Sequence, residues 1–451
     1  MTPMRRRRFP LLVAAVAAAL SAPLTAFTPS PHDPASIPAT SMPTTADSLT
    51  ASRDPNDPAK IKGYLERLQR GNAVRQEDCG AIRFKGRQAR LCLRTIDPKK
   101  AAKTPATLQR RAADPTPPQA LCSSKPGQTN YDRFHACYET VRQIEILQGG
   151  AVTVHGQVRT DVWATLSASN RTWLMQVGIT PLWLSPELVQ LGPGYIASLT
   201  CATKQCTIPD PIRKKIAPSV YTYYEMATSI PPVTGVSIQY SNPQIKLALS
   251  VDNGAVLTPA SPANDPFNVR CDKESYIGGE GCVFYMGNAA AATFYMDYNV
   301  ADAKYGDYRE VVKHNLYAIR VRDNLKHYGD IQYGHPLHRS DPITHDQNRA
   351  TICTTAYQQK ASSLGLSCDE YPYASSEEGG TQNPRFSCAF LPLAQNTAHG
   401  NALNNRLFRE NRILPALNEG GTYIQGDPYW VWVTNAPADS QIPTTKQCSQ
   451  Y

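Results

Sequence analysis

The chain has 451 residues, 41% hydrophobic and 18% charged, with 37 prolines and a net charge of +9. A single hydrophobic core stops growing near roughly 250–300 residues, so this length implies more than one domain. The proline content argues against long helical bundles. Beyond the N-terminus no apolar run approaches the ~18 residues that span a bilayer, which excludes a polytopic helical membrane protein.

Residues 1–26 read as a secretory signal. Arg5–Arg8 form a basic start, Leu11 to Leu20 an apolar stretch, and Leu24-Thr25-Ala26 a small-residue cleavage site. The arginines before Phe9 also resemble a twin-arginine signal, so the export route stays open. Losing these four arginines leaves a mature charge of +5, compatible with a polyanionic partner. Residues 27–120 read as a proline-rich linker or pro-segment. It holds a short helix from Asp57 to Gly71, with Ile61, Tyr64, Leu65 and Leu68 on one face, and a small cysteine-bridged element. The basic run Lys99, Lys100, Lys103, Arg110 and Arg111 reads as solvated linker.

Export changes the meaning of the 12 cysteines. They fall into neighbours: Cys79/Cys92, Cys122/Cys137, Cys201/Cys206, Cys271/Cys282 and Cys353/Cys368, which leaves Cys388 and Cys448. In an oxidising compartment the expectation is six disulfides, each adding about 2–4 kcal/mol. No paired C-x₂-C clusters point to zinc.

From 121 to 270 the period is two. Ile144 and Ile146 lead to Gly149-Gly150, a two-residue hairpin turn. Val152, Val154, Val158 and Val162 then alternate with Thr153, His155, Gln157, Arg159 and Asp161. After a turn at Asn170-Arg171, Trp173, Met175, Val177 and Ile179 alternate again. Further strands are expected at Val236–Tyr240 and Lys246–Val251. One apolar face per strand predicts an antiparallel, sandwich-like β domain, with His155 on the solvent side.

Residues 271–451 read as a mixed α/β domain that holds the chemistry. Tyr308, Val311, Val312, Leu316 and Ile319 have helical spacing, and histidines gather at 314, 327, 335, 338, 345 and 399. His335-Pro336-Leu337-His338 is broken by proline, so it lacks the two-histidine helical face of zinc peptidases. The densest polar stretch is Cys368-Asp369-Glu370-Tyr371-Pro372, followed by Glu377-Glu378-Gly379-Gly380. Tyr371 precedes a proline, which favours an extended backbone. Asp369 and Tyr371 then face one side and Glu370 the other.

Asp-Glu-Tyr-Pro followed by Glu-Gly-Gly resembles the NucA/NucB family of secreted bacterial deoxyribonucleases. The resemblance extends over roughly 271–451: Cys271-Asp272, Gly281-Cys282-Val283-Phe284, Asn348-Arg349, Asn396, Gly400, Leu403, Phe408 and Asn411–Leu414. It implies an α+β chain ending in a small ββα-type metallonuclease domain. It implies a sequence-nonspecific endonuclease acting on extracellular DNA with Mg²⁺ or Mn²⁺, and the chain is expected to be monomeric. Asp369 would be the general base, and Glu370 and Glu378 the other catalytic carboxylates. Asn405 would ligate the metal, with Asn396 and Glu378 as further choices. A Cys353–Cys368 disulfide would anchor the signature strand. The chain departs from the family at Gln395, where an acid usually precedes the asparagine, at Cys388, and in an insertion at 415–425.

A helix Ala402–Arg412 would align Arg406, Arg409 and Arg412 in one stripe suited to phosphates. The competing reading is a disulfide-rich secreted binding or adhesion protein with an inactive nuclease-like domain; Gln395 sustains it. A carbohydrate-active enzyme would rest on little more than Trp430 and Trp432.

Overall fold

The structure is a computed structural model that describes residues 79–451 apart from 112–113, 203–204, 235, 253–260, 286–291, 323–327, 332–333, 381–385 and 420–421. The expected signal, the proline-rich segment before Cys79 and the Asp57–Gly71 helix lie outside the described residues.

The architecture is mixed α+β. A large antiparallel sheet, curved as a half-barrel, is built from β1 (Gly80–Phe84), β2 (Arg87–Ile96), β3 (Thr129–Tyr131), β4 (His135–Gln148), β5 (Ala151–Ser167), β6 (Asn170–Leu184) and β9 (Thr222–Ser229). A second sheet joins β7 (Gly194–Cys201), β8 (Ile212–Lys215), β11 (Pro243–Ser250) and β12 (Ser261–Pro262). A third joins β10 (Ile238–Ser241), β13 (Val269–Asp272) and β14 (Gly281–Phe284). Side chains from all three fill one core, from Ile82 to Phe284. The cysteine-bridged element at 79–96 is thus an edge of the large sheet, and residues 269–284 pack with the β body.

Gly149 and Gly150 make the expected hairpin turn, both with positive φ, which a right-handed strand twist favours. The alternation after it does not hold as read. Ile144 pairs with Gly156 but Glu145 pairs with Val154, so His155 is an extra residue in β5. A bulge moves every later side chain to the other face. Val152 and Val154 are therefore exposed while Val158 and Val162 are buried. The same bulge turns His155 inward, against the expectation of a solvent-facing ring. It contacts the hydroxyls of Thr153 and Ser185 at 2.9 Å each and packs on Phe84. The β5–β6 turn lies at 168–169, just before Asn170-Arg171.

A second core runs from Ala292 to Ile442. Here β15 (Thr293–Asp297), β16 (Leu337–His338) and β21 (Pro428–Thr434) form one sheet, with β21 central. Helices α1 (Arg309–Arg320), α2 (Pro342–Ile352) and α3 (Thr355–Ser363) precede a hairpin of β17 (Leu366–Tyr371) and β18 (Ser387–Pro392). Helix α4 (Leu393–Ala402) follows without a break, and β19 (Leu417–Glu419) and β20 (Thr422–Ile424) form a small hairpin. α1 buries Val311, Val312, Leu316 and Ile319, the apolar spacing seen in the sequence. No helix among the described residues is long and apolar enough to cross a membrane. All six cysteine pairs are joined, including Cys388–Cys448.

Buried arginines join the two cores. Asp427 accepts from Arg270 at 2.5 and 2.7 Å and from Arg133 at 2.7 Å. Arg133 also donates to the carbonyls of Asn411 and Arg412, and Arg270 to that of Arg412. Arg412 is fully buried against the Asp272 carboxylate and the Ala168 carbonyl, with φ of +50°. A Cβ on Gly281 would stand 2.1 Å from the Ala168 carbonyl oxygen, so only glycine lets the strand pass there.

Burial raises the Asp427 carboxyl, but Arg270 and Arg133 outweigh it and hold it at about 2. A carboxyl depressed in the folded state contributes stability above its unfolded pKa and loses it as pH falls. Unfolding stability should therefore drop between about pH 4 and pH 2. Asp427→Asn should cost about 3–5 kcal/mol at neutral pH, by stranding two buried guanidinium groups, and flatten that drop. Urea unfolding of both proteins across this range measures it.

Candidate functional site

The β17–β18 hairpin has two chemically different faces. Its register pairs Asp369 with Ala389, Glu370 with Cys388 and Tyr371 with Ser387. Cys368, Glu370, Cys388 and Phe390 face one way, into a small core containing the Cys353–Cys368 and Cys388–Cys448 bridges. Asp369, Tyr371, Ser387 and Ala389 face the other, toward α1. The alternation expected for the signature holds, and the Tyr371–Pro372 peptide is cis.

On the α1 side, His314 spans the hairpin diagonally. Its Nδ1 lies 2.6 Å from Asp369 Oδ2 and its Nε2 2.9 Å from Ser387 Oγ. His314 and Ser387 are fully buried, and Asp369 is 5% exposed. With Asp369 ionised, Nδ1 carries the proton and donates it to the carboxylate. Asp369 Oδ1 has no hydrogen-bond partner among the described residues. One oxygen is thus fixed by the imidazole and the other is available to chemistry.

Around this pair sits a second polar group. Asn315 Nδ2 donates to the Tyr373 hydroxyl at 2.8 Å and lies 3.4 Å from His399 Nε2. Burial pushes His399 down to about 4 against the pull of Asp369, so the ring is neutral at ordinary pH. The sequence marks His314 only as one of six histidines gathered in this part of the chain, and does not mark Asn315. Their shared signal was position: two polar residues on the buried stripe of an amphipathic helix.

The other expected site residues scatter. Glu370 points away from His314, with Arg349 at 3.5 Å. Burial first, then the charge of Asp369, pushes it up to about 8. Glu378 accepts from the backbone N–H of His338 at 2.9 Å and lies 2.7 Å from His338 Nδ1, while Glu377 accepts from Gly426 N–H at 2.7 Å. These two carboxylates pin the acidic turn to β16 and to the chain before β21, and no hydrogen bond links them to Asp369. His335 is exposed against Tyr328, and His345 pairs with neighbouring Asp346.

The expected arginine stripe is not formed. α4 passes into a π-helical turn at Leu403–Arg409, and Arg412 lies beyond it. The wider turn breaks the three-residue stacking. Arg406 is held by Asp302, the Tyr308 hydroxyl and the Tyr295 carbonyl. Arg412 is enclosed between the cores and is unavailable to phosphate. Arg409 is exposed.

The alternative residues expected to hold a cation lie apart from one another. Asn396 donates to the Cys368 carbonyl at 3.0 Å and the Ser367 hydroxyl at 3.2 Å, which docks α4 on β17 and leaves its Oδ1 beside that strand. Asn405 is nine residues further along the helix, more than about 10 Å at helical rise. Among the described residues, the one His/Cys/acid group with ligand atoms gathered together is Cys353, Cys368 and Cys388, whose sulfurs are consumed in disulfides. Gln395, at the departure from the family pattern, accepts from Glu310 N–H at 2.9 Å and so caps the start of α1.

Residues 337–420 match the family model for deoxyribonuclease NucA/NucB. The chain therefore carries a NucA/NucB deoxyribonuclease domain, which includes β16, the β17–β18 hairpin and α4. α1, with His314, precedes the matched span, as does the whole β body. No curated protein and no solved structure matches the chain.

An acid raised by folding binds more protons folded than unfolded, so its burial costs stability as pH rises between its unfolded and folded values. Glu370 should therefore weaken the fold between about pH 4.5 and 8, by up to about 1.4 kcal/mol per pH unit. Glu370→Gln should flatten that slope and raise the melting temperature at pH 8 relative to the parent. Thermal unfolding from pH 4.5 to 8.5 reads both.

Proposed function

We propose that the chain is a secreted, sequence-nonspecific endonuclease that hydrolyses phosphodiester bonds of extracellular DNA, with Asp369 as general base. The observation that carries this is the 2.6 Å contact between His314 and Asp369, on the signature strand of the matched domain. The order β17–β18–α4 is read as the ββα element of that nuclease class. Disulfides in every cysteine pair and the family of the matched domain favour an extracellular setting.

A base must hold a fixed position and stay ionised at working pH. His314 meets the first need, since its Nδ1 anchors Oδ2 at 2.6 Å. Glu370, neutral below its raised value, adds no competing negative charge. A water on Oδ1 would give its proton to Asp369 and attack phosphorus in line. The departing ester oxygen then takes a proton from solvent. Arg409 is the remaining exposed arginine of the three nominated for phosphate contact. Divalent-cation dependence follows from the family resemblance; the side chains nominated as ligands do not assemble around one ion, so no step is drawn through it.

The competing reading, an inactive nuclease-like domain on a binding protein, is favoured by Gln395, an amide used here to cap α1. Plasmid nicking separates the two. The purified protein should nick supercoiled DNA with Mg²⁺ or Mn²⁺ and stop in chelator. Asp369→Asn should lower the single-turnover rate by about 10²–10⁴-fold with the fold intact by circular dichroism. A loss below tenfold would remove Asp369 from the base role, and an inert parent protein would leave the binding reading.

A further inference from the structure

The outer end of the large sheet carries an unusual ribbon. β1 and β2 form its edge hairpin, with β1 outermost in the strand order. Residues 80–96 contain Arg83, Lys85, Arg87, Arg90 and Arg94 and no acid. All five are exposed, while Ile82, Phe84, Ala89 and Leu91 are buried in the core. Strand alternation therefore sends Arg83, Arg90 and Arg94 to the solvent face. Gln88 opposes Arg83 and Ala81 opposes Arg90, so these two arginines are diagonal neighbours, about 7–8 Å apart along the backbone.

Two of the cations have acids nearby: Lys85 with Glu187 at 3.8 Å and Arg94 with Glu145 at 3.2 Å. Arg83, Arg87 and Arg90 have no acidic partner among the described residues. Charged edge strands discourage sheet-to-sheet aggregation, but a mixture of signs or lysines would serve that purpose. A cluster of arginine forks on a ribbon held by the Cys79–Cys92 bridge suits phosphate oxygens instead.

The position of the ribbon sets its relation to the nuclease domain. β4 begins at His135, beside Arg133, which bonds to Asn411 and Asp427 in the second core. It ends near Leu147, which pairs with Arg90. Twelve residues of strand at about 3.3 Å each put roughly 40 Å of curved strand between the ribbon and that junction. Duplex DNA rises 3.4 Å per base pair, so roughly 12 base pairs match that length of strand.

We propose that the β1–β2 ribbon is a second, sequence-blind docking surface for the phosphate backbone of duplex DNA, apart from the site on β17. The inference rests on the reading of the chain as a DNA-acting protein. Two linked contacts raise the effective affinity for long duplexes without any change at the reacting centre.

The test compares the full-length parent with an Arg83→Gln/Arg87→Gln/Arg90→Gln variant, both checked for melting temperature. Binding to a 40-base-pair duplex is followed by fluorescence anisotropy over a salt series, in chelator. Cleavage of 10- and 40-base-pair duplexes is measured separately. The variant should flatten the salt dependence by about 0.9 per arginine that contacts phosphate, equally for unrelated sequences. Its kcat/KM should fall more on the 40-base-pair duplex than on the 10-base-pair one, which is shorter than the strand between the ribbon and the junction. An unchanged salt slope would overturn the proposal, as would equal loss of cleavage at both lengths. If the parent cleaves neither duplex while the salt slope still depends on the ribbon, the nuclease reading fails and the docking surface stands.

Discussion

The Asp427 carboxylate, shared between Arg133 and Arg270, is the contact on which the rest of the arrangement depends. Two guanidinium groups rise from the β body and meet one acid from the segment leading into β21. Asp427 also accepts from Leu414 N–H, and its carbonyl accepts from Arg339 N–H. One residue thereby fixes the start of the central strand of the second core and the chain next to β16. β16 holds Glu378 through His338, and Glu378 belongs to the turn that follows β17. The path from the β body to the candidate site is a short series of charge-assisted bonds. Arginine suits this junction because its planar fork can satisfy a carboxylate and a carbonyl together, where a lysine presents a point charge. Arg412 closes the seam from the other side, held in a left-handed backbone conformation that its buried partners over-determine.

This organisation makes the matched nuclease span incomplete by itself. Residues 337–420 supply Asp369 and the strand–strand–helix element. They lack His314, which orients the carboxylate, and β21, which centres the sheet beneath it. α1 is set in place partly by Gln395, whose side chain caps it. The departure from the family pattern at that position therefore has a structural use in this chain: it binds the helix bearing His314 to the start of α4.

Much of this was legible in the sequence where one physical rule acts alone. Cysteine proximity was enough to pair ten of the twelve, because short loops close cheaply, and Cys388 and Cys448 followed as the remaining two. The alternation of Trp173, Met175, Val177 and Ile179 and the helical spacing from Tyr308 to Ile319 both marked buried faces. The misreadings occurred where a local irregularity intervened. One extra residue at His155 inverted the faces of β5, and period-two counting carries no mark of a bulge. The π-helical turn at Leu403–Arg409 dissolved an arginine row that an ideal α-helix would have aligned. Arg412 looked like a surface cation because its partners, Asp272 and the Ala168 carbonyl, are more than a hundred residues away. His314 and Asp369 are likewise remote in sequence, and local pattern contains no term for a contact made by packing a helix on a hairpin.

The adjacent acids of the signature show why the hairpin must keep two faces. Asp369 and Glu370 are neighbours in the chain, and two ionised carboxylates so close in a buried strand repel strongly. Alternation points them to opposite sides, into different surroundings. His314 holds one oxygen of Asp369 at 2.6 Å. On the other side the disulfide core desolvates Glu370, the charge of Asp369 adds to the effect, and Arg349 offsets only part of it, so Glu370 remains protonated near neutrality. The neutral acid adds no second charge to the strand. Losing the disulfide core would hydrate Glu370 and favour its charge. The bridges at Cys353–Cys368 and Cys388–Cys448 thus keep Glu370 dry as well as holding the strand that carries Asp369.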